Sequence, residues 1–172
     1  LKADVVFSNY PGTKTTENST DFTLTFSVTT PGSSITSLKL FNNSDGTGGK
    51  NLTFSLDGAT AVSIDGVYDF SDSNKKGWVF NLSALTGASN LSASSHTLAM
   101  TASTFMYYTT NNSTIDNNPA FGFYNTSSTI SPASGGNAAA YAQFEVVGVP
   151  EPGTLLLGGI AAISGGSGVW WK

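Results

Sequence analysis

The stretch DFTLTFSVTT at residues 21–30 decides the fold of this chain. The apolar residues Phe22, Leu24, Phe26 and Val28 alternate there with threonine and serine. A period of two places successive side chains on opposite faces of a β-strand. The stretch therefore predicts a strand with one apolar face and one hydroxyl-bearing face, as in an antiparallel sheet that covers a core on one side.

Short segments of the same kind recur on both sides of this stretch, separated by turn signals. They predict strands at residues 4–9, 35–41, 51–56, 62–64, 67–70, 78–82, 96–100, 104–108, 121–123 and 141–147. The segments 13–20, 42–49, 85–95, 109–119 and 125–137 are predicted loops, and Asp57-Gly58 and Asp65-Gly66 are predicted tight turns. No helical run alternates with the strands, so we expect an all-β fold, an antiparallel β-sandwich or jelly roll of about ten short strands.

The composition excludes several classes of function. Charged residues make up 10% of the chain, against about 25% in ordinary soluble domains. All seven basic residues are lysines and the net charge is −4, which argues against nucleic acid as a partner. The absence of cysteine excludes disulfides, thiolate metal sites and cysteine nucleophiles, but it does not indicate a compartment.

The C-terminal residues 149–172, VPEPGTLLLGGIAAISGGSGVWWK, differ from everything before them. We therefore expect two units, a β domain at 1–148 and a short apolar helical tail at 149–172. The uncharged run at 155–171 is slightly shorter than the ~20 residues of a membrane-spanning helix. The alternative is that this run is the last buried element of the β domain.

The ends and spacing of the tail suggest two kinds of contact. Trp170, Trp171 and Lys172 suit a membrane interface, with the lysine on the cytoplasmic side. Gly158, Ala162 and Gly166 recur every four residues and would let two helices pack closely.

Three features in order, Pro150-Glu151-Pro152, an apolar Gly/Leu/Ala segment and a terminal basic residue, resemble the PEP-CTERM sorting signal of bacterial exported proteins. The resemblance implies export, transient membrane anchoring by the tail and processing by an exosortase near Pro150-Glu151-Pro152. It also implies delivery to the cell surface or an extracellular polysaccharide matrix. Such tails usually end in several basic residues, whereas here Lys172 stands alone.

The β domain resembles the choice-of-anchor domains that carry such tails. The resemblance lies in VVFSN at residues 5–9 and in YAQFEVVGVPEP at residues 141–152. Most of those domains have no assigned activity. If the protein is exported, Leu1 is expected to follow a signal peptide that has been removed.

Candidate catalytic and metal-binding residues are few. His96 is the single histidine, and it lacks the strand–Gly-x-Ser-x-Gly–helix context of a serine hydrolase, so we expect a surface residue at a strand start and no enzyme activity. Asp65, Asp69 and Asp72 are the candidate ligands for Ca²⁺, which prefers carboxylate oxygens. Their spacing matches no EF-hand, so solvated turn residues are the preferred interpretation and no cofactor is expected.

Two further sets of residues point to carbohydrate. An aromatic platform for sugar stacking is predicted from one group, Tyr107, Tyr108, Phe121, Phe123 and Tyr124, although alternation places Phe105 and Tyr107 together on one face. Sequons stand at Asn18, Asn42, Asn51, Asn81, Asn90, Asn111, Asn112 and Asn125. The candidate glycosylation sites among them are Asn18, Asn51, Asn81, Asn90 and Asn125.

The sequence thus favours a non-enzymatic surface or matrix protein that associates with itself, in filaments or a sheath. Its hydroxyl-rich, weakly charged strands suit contact with extracellular polysaccharide or with further copies. Strand addition at sheet edges, by the opening DVVFSN run or by the tail, would join subunits. The alternative is a carbohydrate-binding module or adhesin.

Overall fold

The computed structural model of the chain describes residues 3–10, 14–18, 21–42, 50–71, 73, 76–101, 105–110, 116–117, 121–125 and 141–149. The strands are β1 (Asp4–Ser8), β2 (Lys14–Asn18), β3 (Phe22–Val28), β4 (Ser34–Phe41), β5 (Lys50–Leu56), β6 (Val62–Asp69), β7 (Gly77–Asn81), β8 (Ser95–Thr101), β9 (Tyr107–Thr110), β10 (Asp116–Asn117), β11 (Phe121–Asn125), β12 (Tyr141–Ala142) and β13 (Phe144–Val149). The helical segment within these ranges is one 3₁₀ turn, η1 (Leu82–Ala84). The predicted all-β class is confirmed.

Ten of these strands form one sheet in the order β10-β1-β13-β4-β7-β6-β5-β8-β3-β11. The strands β12, β9 and β2 form a second, three-stranded sheet. Strand pairs in both sheets are antiparallel, as predicted. The first and last long strands, β1 and β13, are direct neighbours.

The large sheet curls into a half-barrel around the core. The rings of Phe7 on β1 and Phe26 on β3 lie 5.6 Å apart, although these strands are near opposite edges of the sheet. The edge strand β11 also contacts β1 and β10. The core is therefore enclosed by one curled sheet rather than by the two flat facing sheets expected for a sandwich.

The strand at residues 21–30 has the predicted faces. Phe22, Leu24, Phe26 and Val28 are each at most 3% exposed. Opposite them, β8 contributes core residues in register, such as Leu98 facing Leu24. Alternation in β3, and the same alternation in β5 and β8, thus fixes which face of the sheet covers the core.

The two predicted Asp-Gly turns have different outcomes. The Asp57-Gly58 turn is confirmed, since φ is 52° and 72° at these residues and β5 turns back into β6. Asp65-Gly66 does not turn, because β6 runs through it. A Cβ atom on Gly66 would lie 2.7 Å from Cε1 of Phe80, so this glycine makes room for a ring on β7.

Four further segment predictions need correction. The predicted loop at 109–119 contains β10, which pairs with β1. The predicted loop at 13–20 contains β2, which pairs through its backbone with β9 and needs no apolar alternation for that. The strand expected at 104–108 begins later, as β9, and continues to Thr110. The last predicted strand is divided at Gln143, which separates β12 from β13.

Candidate functional site

A hydroxyl face lies on the outer side of strands β6, β5, β8 and β3. The term denotes these half-buried or exposed residues: Thr23, Thr25, Thr53, Ser55, Ser63, Ser95, Thr97 and Thr101. Ser27 continues the row on β3 but is buried, at 8% exposed. The residues of the face lie side by side because the strands pair in register, with Thr25 opposite Thr97 and Thr53 between Ser63 and Thr101. The apolar alternation that fills the core thus places the hydroxyls on the outside.

The hydroxyl face is a regular array of short side chains. Neighbouring strands lie about 4.8 Å apart, and side chains on one face of a strand recur about every 6.7 Å. Ala99 lies within the array, between Ser55 and Thr23. Cross-strand Thr and Ser pairs contribute roughly 0.2–1 kcal/mol each to sheet stability, so the array also stabilises the fold.

A polar network borders the hydroxyl face at β5 and β6. Asn51 Nδ2 donates to Asp65 Oδ1 at 2.9 Å, and the Ser63 hydroxyl donates to Asn51 Oδ1. The Asp65 side chain is exposed at this border. The face contains no lysine, and carboxylates lie only along its margin, so it presents hydrogen-bonding hydroxyl groups rather than charge.

The candidate calcium ligands do not converge. Asp65 and Asp69 lie four residues apart on the same face of β6, about 13 Å at 3.3 Å per residue. Lys39 Nζ lies 2.6 Å from Asp69 Oδ2. Asp72 lies outside the described residues, and the residues that are described contain no group of three His, Asp or Glu side chains able to hold a metal ion.

Lys39 instead forms a partly buried ion pair with Asp69, in which the lysine is only 6% exposed and the carboxylate is half-buried. Its hydrogen bond to the carboxylate, followed by that of the Ser71 hydroxyl, lowers the pKa of Asp69 from 3.8 to about 2. The ammonium also lies 5.3 Å from the centre of the Phe41 ring, on which Tyr10 stacks at 4.3 Å. This cluster joins β4 to β6 across β7.

His96 lies in the core, not on the surface as expected. It is 6% exposed and stands opposite Phe26, whose ring lies 5.6 Å away. Nδ1 lies 2.7 Å from Asp57 Oδ2, and Nε2 lies 3.3 Å from Ser94 Oγ. Asp57 is further fixed by the Thr97 N–H, which donates to Oδ1 at 2.7 Å. These contacts follow the order of a Ser-His-Asp triad.

Two neighbouring contacts favour a structural role for this cluster. A general base needs a free lone pair on Nε2, but the Ser92 carbonyl oxygen, an acceptor, lies 3.0 Å from that nitrogen. The Ser94 N–H donates to the same carbonyl at 2.9 Å, so it does not face a developing oxyanion. With acceptors at both ring nitrogens, His96 links the Asp57 turn to the segment before β8.

The sequence did not predict this cluster, because Asp57 appeared only as a turn residue. It meets His96 across 39 residues, through the pairing of β5 with β8. No local pattern in the sequence predicts the pairing of β5 with β8.

Two residues of the predicted aromatic platform lie in the core, and a third, Tyr108, is half-buried. Tyr107 and Phe121 are 0% and 2% exposed. Phe105 and Tyr107 stack at 6.5 Å, so they share one face as alternation predicted. The side chains of Phe123 and Tyr124 lie outside the described set. Among the side chains that the structure describes, the exposed aromatic one is instead Phe70, at 76%, which was not among the site residues predicted from the sequence.

The sequons differ in how their side chains are used. Asn42 is 4% exposed, and its amide donates to the Met106 carbonyl at 3.0 Å. The Asn51 amide nitrogen donates to Asp65, as described above. Asn81 Oδ1 accepts from the Ser83 N–H and caps η1, so this hydrogen bond does not use the amide nitrogen that glycosylation would modify. Asn90 is exposed. The side chains of Asn18 and Asn125 are not among those described.

Residues 150–172 of the tail lie outside the described residues. They include the sorting motif, the helix-packing residues Gly158, Ala162 and Gly166, and the terminal tryptophans. The part of the chain that is described contains no helix long and apolar enough to cross a membrane. Comparison with protein-family models, with curated proteins and with solved structures found no match.

Proposed function

We propose that this chain is a non-enzymatic structural protein of an extracellular surface or matrix. The observation that carries the proposal is the hydroxyl face: four adjacent strands present serine and threonine in register, without lysine and with carboxylates only at the margin. Such a face can form hydrogen bonds with hydrated polysaccharide or with another copy, and it has little capacity to discriminate between charged ligands.

The size of the face favours many weak contacts over one strong contact. Four strands at ~4.8 Å and about 20 Å of strand length give roughly 400 Å². A stable two-protein interface buries about 800 Å² on each partner. Weak contacts gain strength when they are repeated along a polymer, so the face suits a matrix component.

Delivery to that location is the part of the proposal that depends on residues 149–172. The order Pro150-Glu151-Pro152, apolar segment and terminal lysine supports export, anchoring and exosortase processing. We further propose that the delivered protein associates with itself in filaments or a sheath.

Fractionation of the producing cells tests the proposal. We expect the protein in the surface or matrix fraction, with its C-terminus near Pro150 by mass spectrometry and ordered polymers by electron microscopy. Recovery only from the cytoplasm would overturn the proposed location, and an intact Lys172 on surface protein would overturn the processing step. Monodisperse particles at high concentration would overturn self-assembly.

Variants of the face test the observation itself. The triple variant Thr25→Lys, Thr53→Lys, Thr97→Lys should shift protein from the matrix to the medium. The matched control places lysine at three exposed positions outside the face, Ala84 at the end of η1 and Thr86 and Ser89 after it, and so makes the same change in charge. Equal retention of both variants would show that the hydroxyl face does not hold the protein in place.

A further inference from the structure

Phe70 is an aromatic side chain that the fold leaves in solvent. It follows directly on β6 and is 76% exposed, more than the other large apolar side chains that the structure describes as exposed. Single exposed apolar residues are common and need no explanation by themselves. The surroundings of this ring are what distinguish it.

The Phe70 ring rests against a second aromatic ring. Its edge-to-face partner is Tyr68, with ring centres 4.6 Å apart and planes at 67°. Tyr68 is only 8% exposed and makes the same kind of contact with Trp78 at 5.4 Å. The exposed ring is thus the outermost of three aromatic rings that continue into the core, and it loses little freedom when a ligand stacks on it.

The chemistry of the site favours a sugar ring as the occupant. One face of a pyranose carries C–H groups and stacks on an aromatic ring, while its hydroxyl edge stays in water. The net charge of −4 disfavours an acidic polysaccharide through long-range repulsion. A single ring offers far less than the ~800 Å² per partner of a stable dimer, so it suits a repeating ligand rather than a second copy.

We propose that Phe70 is the stacking residue of a binding site for a neutral polysaccharide, held in position by Tyr68. The inference rests on the proposed extracellular function, because it names the matrix component that the protein would contact there. It also transfers the predicted sugar platform from the buried Tyr107 and Phe121 to a residue that can reach a ligand.

Affinity electrophoresis of the full chain in gels with hydroxyethyl cellulose tests the site. The parent should be retarded, and Phe70→Ala should lose affinity by about tenfold or more, whereas Phe70→Trp should keep it. Val67→Ala is the matched control: Val67 is 71% exposed on β6, on the opposite face of the strand. Because Phe70→Ala removes only the contact with Tyr68 and Val67 is exposed, both variants should unfold within a few degrees of the parent.

Gels with carboxymethyl cellulose, which has the same backbone with negative charges, should retard the parent less. Stronger retardation there, no retardation in the neutral gel, or equal retardation of Phe70→Ala and the parent would each overturn the inference. Such results would leave the proposed location intact, since location is measured by fractionation. Conversely, recovery of the protein only from the cytoplasm, together with loss of retardation in Phe70→Ala, would overturn the proposed location but not the sugar site.

Discussion

Asn9 and Phe144 are joined by reciprocal hydrogen bonds. The Phe144 N–H donates to Asn9 Oδ1 at 2.8 Å, and the Asn9 N–H donates to the Phe144 carbonyl at 3.3 Å. Asn9 Nδ2 also donates to the Ala142 carbonyl at 2.7 Å. A side chain that is 1% exposed thus replaces a strand partner at the point where Gln143 separates β12 from β13.

Replacing Asn9 should therefore destabilise the domain strongly. In Asn9→Ala the Ala142 carbonyl and the Phe144 N–H lose their partner in a buried place, which costs about 1–3 kcal/mol for each group. Urea unfolding should show a loss of roughly 2–5 kcal/mol. The exposed Asn90→Ala should stay within about 0.5 kcal/mol of the parent. Equal stability of the two variants would contradict the role assigned to Asn9.

Gly66 and Phe80 should be energetically coupled. In Gly66→Ala the new Cβ meets Phe80 Cε1 at 2.7 Å, and this ring is fully buried, so we expect a loss of about 1–3 kcal/mol. Phe80→Leu alone also destabilises, by removing core contacts. The double variant should lose less than the two losses combined, because the smaller side chain makes room. Additive losses in a double-mutant cycle would show that the contact does not explain the glycine.

The Lys39–Asp69 ion pair predicts a specific dependence of stability on pH. The folded pKa of Asp69, about 2, is below the ordinary 3.8, so the contribution is complete above pH 5 and is lost as pH falls toward 2. The contribution is at most about 2 kcal/mol, because solvent reaches part of the carboxylate. The parent should exceed Asp69→Asn in stability at pH 7, and the difference should shrink below pH 4.

Urea unfolding at a series of pH values measures this difference. The control is Asp65→Asn, because Asp65 is a carboxylate on the same strand but accepts from the Asn51 amide rather than from a lysine. Its difference from the parent should be small at pH 7. A pH profile for Asp69→Asn that matches that of Asp65→Asn would mean that the lysine does not stabilise the folded carboxylate.

The Asp57–His96–Ser94 cluster should stabilise the fold without hydrolysing esters. We expect His96→Phe to lose about 1–3 kcal/mol, since Asp57 Oδ2 loses its contact with Nδ1 and the Ser92 carbonyl keeps only the Ser94 N–H as a partner. Ser94→Ala should change stability by no more than about 0.5 kcal/mol. The parent should not react with a fluorophosphonate probe. Labelling of Ser94, or p-nitrophenyl acetate hydrolysis that Ser94→Ala abolishes, would contradict the structural role.

The predictions from sequence succeeded where the relevant physics is local. Alternation around Leu24 and Phe26 specifies a face within one strand, and Asp57-Gly58 adopts positive φ within one turn. The predicted turn at Gly66 was wrong because the space for a glycine is set there by the Phe80 ring, which lies on another strand. Local pattern therefore located most strands but could not order them.

The candidate site shows the same division. The hydroxyl face follows directly from the polar half of each alternating strand, so its existence could be predicted. The neighbours within it depend on the order β6-β5-β8-β3, which no local signal in the sequence encodes. The burial of His96 and the exposure of Phe70 likewise depend on how the strands pack in the folded sheet rather than on their local sequence.

The position of β13 determines how this domain would bear a load. It lies between β1 and β4 and is antiparallel to both, and its last residue, Val149, leads directly into residues 150–172. Because Asp4 at the start of β1 pairs with Gly148 near the end of β13, a pull between these two strand ends would open their hydrogen bonds one at a time, whereas a pull along β13 against the rest of the sheet would load the bonds to β1 and β4 together.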